Sequence, residues 1–423
     1  MKKPIIGFTG LSHLGLVYSS VAANKGFNVI AFDEDKNKVY DLEKNYKTKI
    51  DEPGLQKLIK KNKKRLQFTS NIKKLKLCNI IFVSLDVKTN KKNLSDIKEI
   101  NNLINKLKRH INKNVILIIL SQIPSGFTKK ISWEGKNLFY QVETLVIGDA
   151  IKRCNKPEQI ILGCKDKNIN LSSKLENYFN SFNCPILKMN YESAELAKKT
   201  INAFLASSLS MTNSISEICE NTDARWDEII PVLKNDKRIG KFAYLNPGLG
   251  ISGGNIERDI INLKKTSNKI NLDNQLFNSI IKISNKRKNW AFNKFKKISV
   301  DLGKNEKLCI LGLSYKPNTN SIKNSPAIKL LKKLSNYKFK ISVYDPKVTF
   351  FGNKNKRIYL EKNIDNAISG SRVVFIMTAW KQFNTIKVLK KVRKRNLHII
   401  DPFGTLKKFF KASNKNYYSL GLK

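Results

Sequence analysis

Two runs of strand, glycine-bearing turn, helix and strand, one near each end of the chain, predict an α/β protein with two doubly wound parallel sheets. Between them, apolar residues recur at three- and four-residue spacing from Ala194 to Ile218, which predicts a central helical region built on one long helix. At 423 residues the chain exceeds a typical single domain, and on this reading it divides into 1–190, 191–300 and 301–423. An apolar fraction of 41% suits a globular protein with a sizeable core.

The first run opens with a short apolar strand, Pro4 to Phe8, then Gly10-Leu11-Ser12-His13-Leu14-Gly15 and an apolar-periodic helix through Ala23. A second strand, Asn28 to Phe32, ends at Asp33. This is the layout of a Rossmann-like dinucleotide-binding βαβ unit. Gly10 makes the tight turn, Gly15 lets the helix pack on the sheet, and the helix N-terminus faces the pyrophosphate. Ser12 stands at the middle glycine position of the fingerprint. Asp33, at the end of the second strand, is placed to hydrogen-bond ribose hydroxyls, which favours NAD over NADP. Further strands are expected at Asn79 to Ser84 and at Val115 to Leu120, a continuous apolar run suited to a sheet covered on both faces. Ser121 begins the turn Ser121-Gln122-Ile123-Pro124-Ser125-Gly126 at that strand's C-terminal end, the edge where ligands bind. Another strand is expected to begin at Gln141, with Glu143 near its end, and others at Gln159 to Gly163 and from Asn183 to Leu187.

The central helix places Lys198 and Asn202 four residues apart on one face. Arg225 to Leu233 continues the helical region, and so long a helix suits a dimer interface. The glycine-rich stretch Leu245 to Asp259 follows, and its glycines allow close approach to a ligand. The second α/β run starts at Lys307 to Leu311, followed by Gly312-Leu313-Ser314-Tyr315-Lys316-Pro317-Asn318-Thr319 and a helix opening at Ser325-Pro326. Lys340 to Tyr344, Val373 to Met377 and His398 to Ile400 are further strands, each ending in a polar or proline-containing turn. Lys316 and Lys323 are placed to meet phosphate.

The formal charge of +47 could mark a nucleic-acid binder, but the lysines spread through nearly every expected helix and loop, which disfavours a specific nucleic-acid surface. The densest clusters, Lys60 to Arg65 and Lys390 to Arg395, read as solvated segments between helix and strand. A positive field still suits an anionic small molecule. Six scattered cysteines without a CxxC pair point to reduced thiols, and three separated histidines suggest no metal site. The longest apolar run, Val115 to Leu120, is far short of the roughly 20 residues a membrane helix needs. The residues after Met1 break any signal-peptide pattern, so a cytoplasmic protein with an uncleaved N-terminus and no membrane partner is expected.

Laid out this way, the chain resembles the UDP-glucose/GDP-mannose dehydrogenase family over essentially its whole length. The resemblance rests on Gly10 and Gly15 with Asp33; Glu52-Pro53-Gly54-Leu55; Arg65-Leu66 with Phe68-Thr69; Ser121, Ile123-Pro124 and Gly126; and Glu192-Ser193-Ala194-Glu195 with Lys198 and Asn202-Ala203-Phe204. It continues through Arg238-Ile239-Gly240, Asn246-Pro247-Gly248, Gly253-Gly254 with Asp259, Gly312-Leu313 with Tyr315 to Thr319, Ser325-Pro326, Tyr344-Asp345-Pro346 and Trp380.

The resemblance implies an N-terminal NAD domain, a central helical domain that forms a homodimer, and a C-terminal domain that binds the nucleotide part of a nucleotide sugar. It further implies oxidation of a sugar C6 alcohol through an aldehyde and an enzyme thioester. Carried over by position, Lys198 and Asn202 would stabilise the developing oxyanion, Asp259 would assist, and Glu143 matches the first acid of the family's Glu-Phe-Leu-Arg-Glu-Gly motif. Gly10, Ser12, Gly15, Asp33 and Ser121 would bind the cofactor; Tyr244, Asn246, Gly253, Lys316 and Lys323 would bind the substrate. Three positions depart from the family pattern. Asn255 stands where the nucleophilic cysteine is expected, Ile147 where the second glutamate is, and Gln122 where a threonine is. Asparagine cannot form a thioester. The expectation is therefore a nucleotide-sugar oxidoreductase that works by one hydride transfer or through a hydrated aldehyde. The alternative is a non-catalytic or weakly active paralogue that binds the nucleotide sugar.

Overall fold

The computed structural model describes residues 3–89, 95–303, 306–352, 355–385, 397–410 and 415–422. The Lys390 to Arg395 cluster lies outside them, whereas Lys60, Lys61, Lys63, Lys64 and Arg65 are exposed. The chain forms two compact units, residues 1–200 and 201–423.

The first unit carries an eight-stranded sheet: β1 (Ile6–Thr9), β2 (Val29–Phe32), β3 (Leu66–Thr69), β4 (Ile80–Val83), β5 (Ile116–Ile119), β6 (Leu138–Gln141), β7 (Ile160–Cys164) and β8 (Ile186–Asn190). Their order is β8-β7-β6-β5-β4-β1-β2-β3. All neighbours run parallel except β6 and β7, which are antiparallel. Each residue of β1, β4 and β5 is buried, as helices on both faces of a parallel sheet require. Two expected strands shift: the one placed from Gln141 onward ends there instead, and the last begins at Ile186 rather than Asn183. Helix α1 (His13–Asn24) follows β1, and ten of its residues are buried because it packs flat on the sheet.

A 29-residue helix, α2 (Tyr191–Cys219), starts in the first unit and ends in the second. Its length matches the periodicity, but its burial runs against a simple amphipathic reading. Asn202, Thr212, Asn213 and Ser216 are buried, while Phe204 is 75%, Met211 63% and Ile218 60% exposed. In the second unit follow α3 (Asn255–Lys269), α4 (Gln275–Arg287) and α5 (Trp290–Ile298). The end of α2 is pinned to α4 and α5 through buried Glu220, which accepts hydrogen bonds from Arg287 (2.8 Å) and the Trp290 indole (2.6 Å).

The second sheet contains β9 (Lys307–Leu311), β10 (Lys340–Tyr344), β11 (Ile358–Leu360), β12 (Ser371–Ile376), β13 (His398–Ile400) and β14 (Tyr417–Tyr418), in the order β11-β10-β9-β12-β13-β14. It is parallel throughout. Helix α6 (Pro326–Leu334) opens on a proline, and the Ser325 hydroxyl accepts the Ala327 N–H at 3.2 Å. Two strand–glycine–helix sheets with a helical region between them are the architecture the sequence predicts. Among the described residues no helix is long and apolar enough to cross a membrane.

Candidate cofactor and active site

The turn after β1 follows from sterics. Gly10 has φ +91°, open to glycine at little cost. A Cβ on Gly15 would lie 1.9 Å from the Gly10 carbonyl oxygen, so only glycine lets α1 start this close to the strand. Ser12 donates to the Ser84 carbonyl (3.0 Å) and accepts the Asp86 N–H (3.0 Å), tying the turn to the chain beyond β4. Asp33 is buried at the end of β2. Its carboxylate accepts the Leu11 N–H (2.7 Å), the Asp35 N–H (3.0 Å) and the Lys38 ammonium (2.8 Å). A carboxylate offers about four acceptor sites, so one remains for a ribose hydroxyl. Beside it a cavity of about 500 Å³ is lined by Gly10, Asp33, Lys38, Leu85, Lys106 and Arg109, among others.

Four contacts at this end of the sheet carry no local sequence signal. His13, the first residue of α1, reaches the Glu52 carboxylate at 2.8 Å, and its backbone N–H donates to Asp86 at 3.2 Å. Glu52 also accepts the Gly148 and Ala150 N–H groups. Burial alone would raise its carboxyl pKa, but these hydrogen bonds outweigh burial and lower it. At Asp86 the balance falls the other way: desolvation pushes its carboxyl pKa up, and with nearby Glu143 it outweighs the His13 charge and the hydrogen bonds from His13 and Ser12.

Beyond β5, Ser121 is fully buried, with its hydroxyl donated to the Val83 carbonyl (3.2 Å). Next to it Gln122 donates its amide to Glu143, which also accepts the Leu145 N–H (2.8 Å) and lies 3.5 Å from the Lys198 ammonium. The rest of the turn is held by neighbours of Lys198 on α2. Buried Glu195 accepts from Gly126 N–H, Thr128 N–H and the Thr128 hydroxyl, and Lys199 donates to Ser125 at 2.8 Å. The pairing of Glu195 and Lys199 with this turn spans 67 to 74 residues, and no local sequence signal marks it.

In the second unit the glycine-rich stretch packs closely. Gly250 and Gly253 both have φ +76°; Cβ atoms there would meet Ser284 at 2.3 Å and the Tyr315 ring at 2.9 Å. Gly254 leaves room for Lys323, whose ammonium would lie 2.8 Å from a Cβ. Burial and the neighbouring Arg258 charge lower the Lys323 pKa. Lys316 lies over the Tyr315 ring. Asn255 is exposed and is the first residue of α3. Four residues on, Asp259 is buried; it accepts the Asn202 amide at 2.6 Å and lies 3.4 Å from Arg258 Nε. Tyr244 and Asn246 are exposed, and the Tyr244 carbonyl accepts the Thr212 hydroxyl at 2.8 Å.

All six cysteines are free, and five are buried. Burial raises every thiol pKa: Cys78 to about 12 and Cys164 to about 11, with Cys154, Cys184, Cys219 and Cys309 shifted the same way. No thiol here is poised as a thiolate.

Two Rossmann-like sheets, the first bearing a glycine turn with an acid at the end of its second strand, are a scaffold of the dinucleotide-binding class. The comparisons narrow this. Residues 4–183 match the NAD binding domain of the UDP-glucose/GDP-mannose dehydrogenase family, residues 192–286 its central domain, and residues 309–408 its UDP binding domain. The chain belongs to that family. It is 28% identical over 392 residues to the UDP-glucose 6-dehydrogenase YwqF of Bacillus subtilis, covering 88% of each chain. It is 29% identical over 404 residues to the UDP-glucose 6-dehydrogenase of Rickettsia prowazekii, covering 90% of each. The fold matches a UDP-glucose dehydrogenase from Pyrobaculum islandicum with a TM-score of 0.88 at 20% identity, over 100% of this chain and 98% of that one. A UDP-D-ManNAc dehydrogenase from Pyrococcus horikoshii gives a TM-score of 0.82 at 20% identity, over 99% of each.

Proposed function

We propose that the chain is an NAD-dependent dehydrogenase of the UDP-glucose 6-dehydrogenase type, oxidising the C6 alcohol of a UDP- or GDP-sugar without a cysteine thioester. The observation that carries the reading is the pair of buried Glu143 and half-buried Lys198, a base and a cation 3.5 Å apart. Glu143 takes the hydroxyl proton and Lys198 stabilises the oxyanion that forms. Asn202 is a second donor, oriented by Asp259. NAD, when bound, accepts the hydride. Gly10 and Gly15 shape its diphosphate turn, Asp33 holds a ribose, Ser12 fixes the turn, and Ser121 braces the strand end behind it. Lys316 and Lys323 supply charge for the substrate diphosphate, with Tyr244, Asn246 and Gly253 alongside. Asn255 at the expected nucleophile position and six suppressed thiols support a route through a single hydride transfer or a hydrated aldehyde.

The same reading assigns residues 1–190, 191–300 and 301–423 to cofactor, helical and nucleotide domains of a cytoplasmic homodimer. Phe204, Met211 and Ile218, exposed at seven-residue spacing, are the seam that α2 would offer a second copy. The alternative of a nucleotide-sugar-binding paralogue draws support from Asn255, which cannot form a thioester at the position where the nucleophile is expected.

The test is NADH absorbance with NAD and a panel of UDP- and GDP-sugars, with intact-mass analysis of quenched protein. NADH formation without a covalent sugar adduct is expected. A thioester adduct would overturn the thioester-free route, and sugar-nucleotide binding without NADH would select the paralogue. Lys198→Ala should reduce turnover at least about a thousandfold if it stabilises the oxyanion.

A further inference from the structure

The end of α1 that a cofactor diphosphate needs already carries an anion. The first helical N–H, that of His13, donates to Asp86 Oδ2 at 3.2 Å. The Asp86 N–H in turn donates to Ser12 at 3.0 Å, and Ser12 donates to Ser84, so the carboxylate is held against the turn from both sides. Orphan N–H groups at a helix start are the donors that bind phosphate in this fold. A diphosphate and this carboxylate therefore compete for one donor and repel each other.

We propose that Asp86 is an internal stand-in for the diphosphate, an anion that must be turned away or neutralised when NAD binds and that thereby sets the affinity of the site. The inference rests on the NAD reading above. Asp86 faces His13 across the turn and the Glu143 carboxylate from the end of β6; His13 is paired with Glu52, and Glu143 with Lys198. The first unit thus places one acid and one imidazole near the carboxylate of this exposed residue, and desolvation by the atoms packed beside it already favours its neutral form. An arriving diphosphate favours protonation further, so the complex takes up a proton. Affinity for NAD then rises as pH falls.

Calorimetric titration of the full chain with NAD tests this, using wild type, Asp86→Asn and Asp86→Ser between about pH 5.5 and about pH 8. Asp86→Asn keeps the backbone N–H to Ser12 and removes the charge. It should bind NAD about tenfold more tightly than wild type near pH 8, the scale of one like-charge contact at partial exposure. It should also lose most of the pH slope. Asp86→Ser should behave likewise, which separates charge removal from a packing defect of one variant. Equal or weaker binding by both variants would overturn the inference while leaving the NAD reading intact. No NAD binding by wild type or either variant would overturn both.

Discussion

The turn after β1 and the turn after β9 start alike. Each leaves its strand at a glycine with φ above +90°, Gly10 and Gly312, and in each the next residue's N–H, from Leu11 or Leu313, donates at 2.7 Å to an acid at the end of the neighbouring strand. They finish differently. Asp33 has three donors, one of them an ammonium partly exposed to solvent. Asp345 has six: the N–H groups of Leu313, Ser314, Lys347 and Val348, the Ser314 hydroxyl and the Trp380 indole. The same sequence device thus yields an acid with acceptor capacity left beside a cavity, and an acid wholly consumed in holding its turn together. A glycine turn with an acid downstream marks the scaffold; the donor count separates an acid with spare acceptor capacity from one fully used by its turn.

The comparison can be broken by replacing each acid. Asp345→Ala should be the more damaging, since six donors lose one buried acceptor. A loss of about 3 to 5 kcal/mol is expected, read from the urea midpoint. Asp33→Ala should cost only about 1 to 2 kcal/mol, because fewer donors are stranded, while NAD affinity falls about tenfold or more. Equal stability losses would erase the distinction. The smallest effect concerns Glu52, which braces the start of α1 through His13. Its pKa is lowered in the folded state, so its contribution is present above the unfolded carboxylate pKa and is lost as pH falls through the folded value. Glu52→Gln should flatten the acid side of the stability–pH curve, measured by thermal melts in a buffer series.

Much of this was legible in the sequence because it rests on local rules. Gly10 and Gly15 stand at positions sterics dictate, Asp33 follows at the strand end, and α2 (Tyr191–Cys219) covers the apolar spacing from Ala194 to Ile218. The face of α2 was less legible. Periodicity reports that an apolar stripe exists, not what covers it, and the buried side carries Asn202, Thr212 and Asn213 because they bond to residues 32 to 57 positions away. The β6 boundary slipped because Leu138-Phe139-Tyr140-Gln141-Val142 is apolar on both sides of the strand end. The Glu195, Lys199 and Asp86 contacts were invisible for the same reason as the α2 face: each joins segments far apart in the chain.

The raised thiol pKa values have a consequence for handling and for chemistry under stress. Peroxide and alkylating reagents attack thiolates, and here burial keeps all six sulfurs protonated, with only Cys184 partly exposed. The thiols should therefore react slowly with such reagents, Cys184 first, which alkylation followed by intact mass would check.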